Sequence, residues 1–138
     1  MLRKIEKINK ELKPKILVID DELDLLKFFE RILSYDEYTI ITACDGPKGI
    51  KKNEEYDPDL IILDLKMPGM QGVEVLKNIR KVDKDVIVII LTGYGDAESI
   101  REAVDLNVYE YISKPTTLEM IKSVIKEALA SNEIKKDE

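Results

Sequence analysis

The chain has 138 residues, a formal net charge of −6, 44% hydrophobic residues, no histidine and one cysteine. That length and apolar share exclude a disordered chain and suit one domain with a real core. The acidic balance disfavours nonspecific nucleic-acid binding, the lack of His excludes His-based catalysis and His metal ligation, and a lone Cys44 excludes an internal disulfide.

Residues 1–13 place Leu2, Ile5, Ile8 and Leu12 at near-helical spacing among Lys and Glu, an amphipathic extension that Pro14 ends. It lacks the apolar core of a signal peptide, and no apolar run in the chain approaches the roughly 20 residues of a membrane span. Lys15–Asp20 reads as a buried strand that ends on a carboxylate, with Asp21 and Glu22 next. Asp21 is a good N-cap for a helix carrying Leu25, Leu26, Phe29, Ile32 and Leu33. Tyr38–Ala43 is a second strand, after which Cys44 reads as a small buried hydrophobe on that strand and Asp45-Gly46-Pro47 opens a helix to about Glu55. Asp57-Pro58 breaks the chain before Leu60–Leu63, four apolar residues of the kind buried on both faces of a parallel sheet. That run ends on Asp64, and Lys66-Met67-Pro68-Gly69-Met70 continues as a turn-rich loop. Gln71–Lys81 is a helix with Val73, Val75, Leu76 and Ile79, and Val86–Leu91 is a strand that ends at Thr92-Gly93-Tyr94-Gly95-Asp96. A helix from about Asp96 to Val104, a fifth strand Val108–Ile112 and the segment Ser113-Lys114-Pro115 follow. The last helix runs from Thr116 to about Ala130, with Leu118, Ile121, Ile125 and Leu129 on one face, and leaves a charged, frayed tail at 131–138.

Five alternations of strand and helix imply an α/β domain with a parallel sheet covered on both faces. In such a sheet all carboxyl ends of the strands lie on one edge, where ligands bind. Asp20 with Asp21, Asp64, Thr92 and Lys114 would therefore share one pocket. Each has an ordinary alternative, as a cap, a strand-end residue or a turn; their coincidence on one edge is what points to chemistry. Three neighbouring carboxylates need a cation, and oxygen-only ligands suit Mg²⁺. A carboxylate can attack phosphorus to form an acyl phosphate, with the metal, an ammonium and a hydroxyl offsetting charge on the transferred group.

These residues resemble the receiver domain of bacterial two-component response regulators. The matching stretches are Asp20-Asp21-Glu22, Leu63 to Met70, Leu91-Thr92-Gly93 and Tyr111-Ile112-Ser113-Lys114-Pro115, within residues 14–130. The resemblance implies a flavodoxin-like doubly wound (βα)5 three-layer sandwich with strand order 2-1-3-4-5, flanked by the extension 1–13 and the tail 131–138. It implies Asp64 as phosphoacceptor and a Mg²⁺ site (Mn²⁺ can substitute) formed by Asp20, Asp21, Asp64 and the backbone carbonyl of Lys66. It also implies Lys114 as phosphoryl ligand, Thr92 and Tyr111 as a switch pair, and a cis bond as a frequent feature at Lys114-Pro115. Phosphorylation would draw the Thr92 hydroxyl toward Asp64 and let Tyr111 turn inward. Lys66 and Tyr94, two positions beyond Asp64 and Thr92, would flank an attacking water and tune dephosphorylation.

Such a domain is a cytoplasmic signalling module rather than an enzyme in its own right. Its implied partners are a sensor histidine kinase or phosphotransfer protein and an effector on the face of the fourth helix, fifth strand and fifth helix. A phosphorylation-dependent homodimer is a further implication; direct nucleic-acid or membrane contact is not. The Thr92–Asp96 and Lys66–Met70 segments look most like receivers of sigma-54-type activators or stand-alone relay receivers, so the chain reads as a single-domain regulator or a piece of a larger one. A dehalogenase-type phosphatase also uses an Asp nucleophile with Mg²⁺, but wants a second Asp where Lys66 stands. A flavodoxin-like electron carrier wants a hydroxyl-rich phosphate loop where Asp20-Asp21-Glu22 stands. A degenerate receiver acting only as an interaction module would lack one of the five polar groups, and all are present.

Overall fold

In the computed structural model, five strands, β1 (Lys15–Ile19), β2 (Thr39–Ala43), β3 (Leu60–Leu63), β4 (Ile87–Thr92) and β5 (Glu110–Ser113), pair in parallel in the order β2-β1-β3-β4-β5. They alternate with α1 (Leu23–Leu33), α2 (Gly46–Tyr56), α3 (Gly72–Val82), α4 (Ala97–Asp105) and α5 (Leu118–Asp137). The structure describes residues 1–4, 13–36, 38–93 and 95–137, without the side chains of 36 and 133–137. Most of the amphipathic extension expected at 1–13, and Tyr94, lie outside the described residues.

The fold is the flavodoxin-like arrangement expected. Side chains alternate between the two faces of the sheet, and this divides the core in two. Ile16, Val18, Leu60, Ile62, Ile89 and Leu91 pack with Phe29 and Leu33 of α1 and with Ile121 and Ile125 of α5. Leu17, Ile19, Ile61, Leu63, Val88 and Ile90 pack on the opposite face with Val75, Leu76 and Ile79 of α3 and Ala103 of α4. The three central strands are apolar at nearly every position because both faces are covered, whereas β2 lies at an edge and is mostly half-buried.

Register brings the strand ends level. Ile19 pairs with Leu63, Leu63 with Ile90, and Thr92 with Ser113. The pairing continues one residue further, since Asp20 N–H donates to Ala43 O, Asp64 N–H to Ile19 O and Lys114 N–H to Thr92 O. The polar residues that follow the apolar runs are thus held by the sheet itself. Gly72, the first residue of α3, presses on the chain just past β3; a Cβ there would stand 2.2 Å from Asp64 O and 2.5 Å from Leu65 Cα. Only a residue without a side chain allows that approach.

Several boundaries differ from the expectation. Glu22, not Asp21, is the N-cap residue of α1, and its side chain makes no capping bond. Asp20 Oδ1 instead accepts the Glu22 N–H at 2.9 Å. Propensity cannot choose among three consecutive acids, and the local turn made by Asp20 decides it. β5 begins at Glu110 rather than Val108, because Asn107 turns the chain at φ 63° just before it. Cys44 lies just beyond β2 and is half-buried rather than buried, with Lys48 Nζ 3.4 Å from its sulfur. α5 does not fray at Ala130 but continues to Asp137; Ser131–Asp137 contains no Gly or Pro to stop it, and Glu and Lys propagate helices well. The Lys114–Pro115 bond is cis.

Arg80 of α3 ties the far end of the molecule. Its Nε donates to Leu106 O at 2.8 Å, Nη2 to Asn107 O at 3.0 Å, and Nη1 to Val86 O at 2.8 Å and Asp83 O at 3.3 Å. The guanidinium thereby fastens the end of α4 and the start of β4 to α3. Arg80→Met keeps much of the stem but removes the donor from three part-buried carbonyls and an exposed one, and is expected to lower unfolding stability by about 1–3 kcal/mol. Arg80→Lys should recover only a fraction, since an ammonium lacks the planar fork. Denaturant titration of the three proteins measures this, and equal midpoints would refute it.

Candidate functional site

The level strand ends produce one polar cluster. Asp20 follows β1, Asp64 follows β3, Thr92 closes β4, and Lys114 follows β5. Asp20, Asp64 and Thr92 are only 2%, 5% and 0% exposed, while Asp21 is exposed. One carboxylate oxygen from each of Asp20, Asp21 and Asp64 lies within 4.8 Å of the other two. Such an all-oxygen, anionic donor set fits a hard divalent cation.

The remaining groups converge on Asp64. Its Oδ1 accepts the Thr92 hydroxyl at 2.6 Å and the Lys66 N–H at 3.3 Å. Its Oδ2 faces the Lys114 ammonium at 3.9 Å. Lys114 Nζ is closer to Asp20, at 2.8 Å, and to Glu22, at 3.1 Å. A cleft of about 510 Å³ opens over these groups, lined also by Lys66, Met67, Gly69 and Gln71. So the structure brings together Asp20, Asp21, Asp64, Thr92 and Lys114 as expected, with Lys66 on the wall.

Tyr111 on β5 is half-buried, and its hydroxyl lies against the β4–α4 segment; a Cβ on Gly95 would stand 2.7 Å from it. One expectation changes. The Thr92 hydroxyl does not await phosphorylation to approach Asp64, because it already donates to that carboxylate. β3 and β4 are neighbours in register, and a buried carboxylate takes whatever donors adjoin it. Glu22 is the residue that sequence reasoning missed. It stood beside the two acids, but an acidic residue at a helix start has an ordinary reading, and its partner Lys114 is 92 residues away.

Electrostatics follow from burial. Desolvation pushes the Asp20 carboxyl above its ordinary value and outweighs the Lys114 and Glu22 hydrogen bonds that favour its charged form, while the nearby Asp64 charge adds to the rise. Burial works against the Lys114 ammonium, but the hydrogen bond and charge of Asp20, then Glu22 and Asp64, outweigh it, so its pKa lies above the ordinary value.

Comparison with known proteins settles the family. Residues 16–126 match the response regulator receiver domain. The chain belongs to that family. It is 31% identical over 115 residues to sporulation initiation phosphotransferase F of Bacillus subtilis (strain 168), covering 83% of this chain and 93% of that protein. It is 35% identical over 122 residues to the probable transcriptional regulator ycf27 of Guillardia theta, covering 88% of this chain but 48% of that one. The chain thus spans about half the length of ycf27 and nearly all of the phosphotransferase. Among solved structures, a CheY-like response regulator receiver domain from Methanospirillum hungatei JF-1 superposes with a TM-score of 0.87 at 28% identity, covering 89% of this chain and 98% of that one. A receiver domain from Clostridium thermocellum gives 0.81 at 33% identity, with 88% and 98% coverage. This receiver is accordingly a signalling domain of two-component systems, a family that typically carries Mg²⁺ in an acidic pocket, and the phosphatase alternative is not favoured.

The Asp20 shift has a measurable consequence. The folded protein holds this proton more tightly than the unfolded chain, whose Asp titrates near 3.8. The stability this group contributes is therefore fully present below that pH and is lost as pH rises through the folded value. At neutral pH its desolvated charge, only partly offset by Lys114, opposes the fold, and a bound divalent cation would offset it further. Asp20→Asn is expected to raise the thermal midpoint at pH 7 in chelator and to shrink the further rise that Mg²⁺ gives the wild type. A lower midpoint for the variant in chelator, or equal Mg²⁺ gains in both, would contradict this.

Proposed function

We propose that this receiver takes a phosphoryl group on Asp64, from the phosphohistidine of a sensor kinase or phosphotransfer protein or from a small phosphodonor. The observation that carries the reading is the meeting, at one buried carboxylate, of two further carboxylates, a hydroxyl and an ammonium from three other strand ends. An Asp64 oxygen attacks phosphorus, the bond from phosphorus to the donor atom breaks, and an acyl phosphate forms. Asp20, Asp21, Asp64 and the Lys66 backbone carbonyl are the proposed holders of Mg²⁺ (or Mn²⁺), which when bound offsets charge on the phosphoryl oxygens. Lys114 offsets it from the other side. The Thr92 hydroxyl, now on Asp64, is placed to hand its proton's hydrogen bond to the new group. The chain in this reading assists its own phosphorylation and does not turn over a substrate.

The output face would be that of α4, β5 and α5, on which Val104 and Met120 stand exposed. Tyr111 would report the state of the site to it, for an effector or for a second phosphorylated copy of the chain. A cytoplasmic home fits a partnership with the inner portion of a sensor kinase; among the described residues no helix is long and apolar enough to cross a membrane. Asp64→Asn should abolish acyl-phosphate formation from acetyl phosphate and Mg²⁺, read by intact mass. Full labelling of that variant would reject the assignment.

The lifetime of the phosphoryl group depends on what lines its approach. Lys66 lies on the cleft wall and offers no carboxylate or amide to orient water. Tyr94, two positions beyond Thr92 in the sequence, is the second proposed determinant; if both retard the attacking water, each 1.4 kcal/mol of added barrier lengthens the lifetime roughly tenfold. Decay of the phosphorylated protein is expected to speed up in Lys66→Asn and in Tyr94→Ala. Equal decay in all three proteins would show that neither side chain matters.

A further inference from the structure

Among the described charged residues that line the cleft, Glu22 is the one the phosphoacceptor reading leaves without a task. Its backbone is fixed, since its N–H donates to Asp20 Oδ1 at 2.9 Å. Its side chain caps nothing on α1, although it stands at the N-cap position. Instead its Oε1 accepts from Lys114 Nζ at 3.1 Å, with the Glu22 side chain 61% exposed and that of Lys114 only 19%. An ammonium has three protons. Two of them are committed, to Asp20 at 2.8 Å and to Glu22, and the nitrogen stands 3.9 Å from Asp64 Oδ2, beyond hydrogen-bond reach.

The three partners are not equivalent. A cation in the carboxylate cluster would take up charge on Asp20 and Asp64 and so loosen their pull on Lys114. Glu22 is not in that cluster, and its pull would persist. It also sets a negative charge at the open side of the cleft, where an anionic phosphodonor must enter. Both effects act in the same direction.

We propose that Glu22 is a positioning residue that holds the Lys114 ammonium off the phosphoryl site and so makes this cleft resist free anionic phosphodonors. The proposal rests on the reading of Asp64 as acceptor. Glu22 restrains the ammonium electrostatically, so its effect depends on charge and is screened by salt, whereas a packing role would depend on neither.

The test uses the full chain with saturating Mg²⁺ and sub-saturating acetyl phosphate, following phosphoryl gain by intact mass at low and high ionic strength. Glu22→Gln should phosphorylate about threefold to fivefold faster than wild type at low salt, the range expected for one exposed ion pair. The advantage should shrink at high salt. Glu22→Asp, which keeps the charge, should stay near the wild type, and Glu22→Lys should be at least as fast as Glu22→Gln. The Mg²⁺ concentration for half-maximal rate should be unchanged in Glu22→Gln. An equal or slower Glu22→Gln, a gain that survives high salt, or the same gain in Glu22→Asp would overturn the proposal. If wild type itself acquires no phosphoryl group, the acceptor reading fails instead, and the two failures are told apart by that control.

Discussion

Two buried carboxylates, Asp20 and Asp64, stand within 4.8 Å of one another, with the exposed Asp21 equally near. Like charges at that separation repel by roughly 3–4 kcal/mol at an effective dielectric constant near 20. The rest of the site can be understood as what makes this tolerable. Lys114 reaches across from β5, the Thr92 hydroxyl comes from β4, and the N–H groups of Glu22 and Lys66 fill two more acceptor positions. Three carboxylates against one ammonium still leave net negative charge, even before Glu22 is counted. In the proposed function, a divalent cation held by these carboxylates would offset that remaining charge.

The sheet is what keeps these groups from relaxing apart. Asp20 and Asp64 each donate a backbone N–H into the ladder one residue past the strand, so neither can move without breaking a pairing. Beneath them, Ile19, Leu63 and Ile90 are fully buried and packed on α3. Gly72 then brings the start of α3 against the chain at Asp64 and Leu65, closing the loop that carries Lys66. Core packing therefore acts as the support of the charge cluster: the apolar strands supply the stability that the polar ends consume.

Much of this was written in the sequence because the chemistry sits where apolar runs stop. Ile16–Ile19 and Leu60–Leu63 announce buried strands, and the acids that follow can lie only on one edge of a parallel sheet. What the pattern could not show is pairing at a distance. The Glu22–Lys114 contact spans 92 residues. The Arg80 tie ends on backbone carbonyls, which every residue possesses and which leave no trace in residue identity. The capping position was ambiguous because Asp20, Asp21 and Glu22 are all plausible caps, and only the side-chain turn of Asp20 separates them. α5 extends past Ala130 because a charged run need not fray, and the Lys and Glu of its last turns are good helix formers.

The Thr92–Asp64 bond bears on how the proposed switch would work. With the hydroxyl already on the carboxylate, a phosphoryl group on Asp64 would exchange one acceptor for another a short distance away. The ligand shifts populations only through that difference in contacts. A small displacement would have to be amplified, and two contacts set its geometry. At one end of α4, the Tyr111 hydroxyl lies so close to Gly95 that a single added carbon would collide with it, so motion of the β4–α4 segment is motion against the ring. At the other end, Arg80 holds Leu106 and Asn107 to α3 and β4. In the proposed switch, a helix fastened at its finish and bearing on a single ring at its start would pivot rather than slide. Such a pivot would change the face beside β5 most near the site and least near Arg80, and would place the strongest signal where Tyr111 stands.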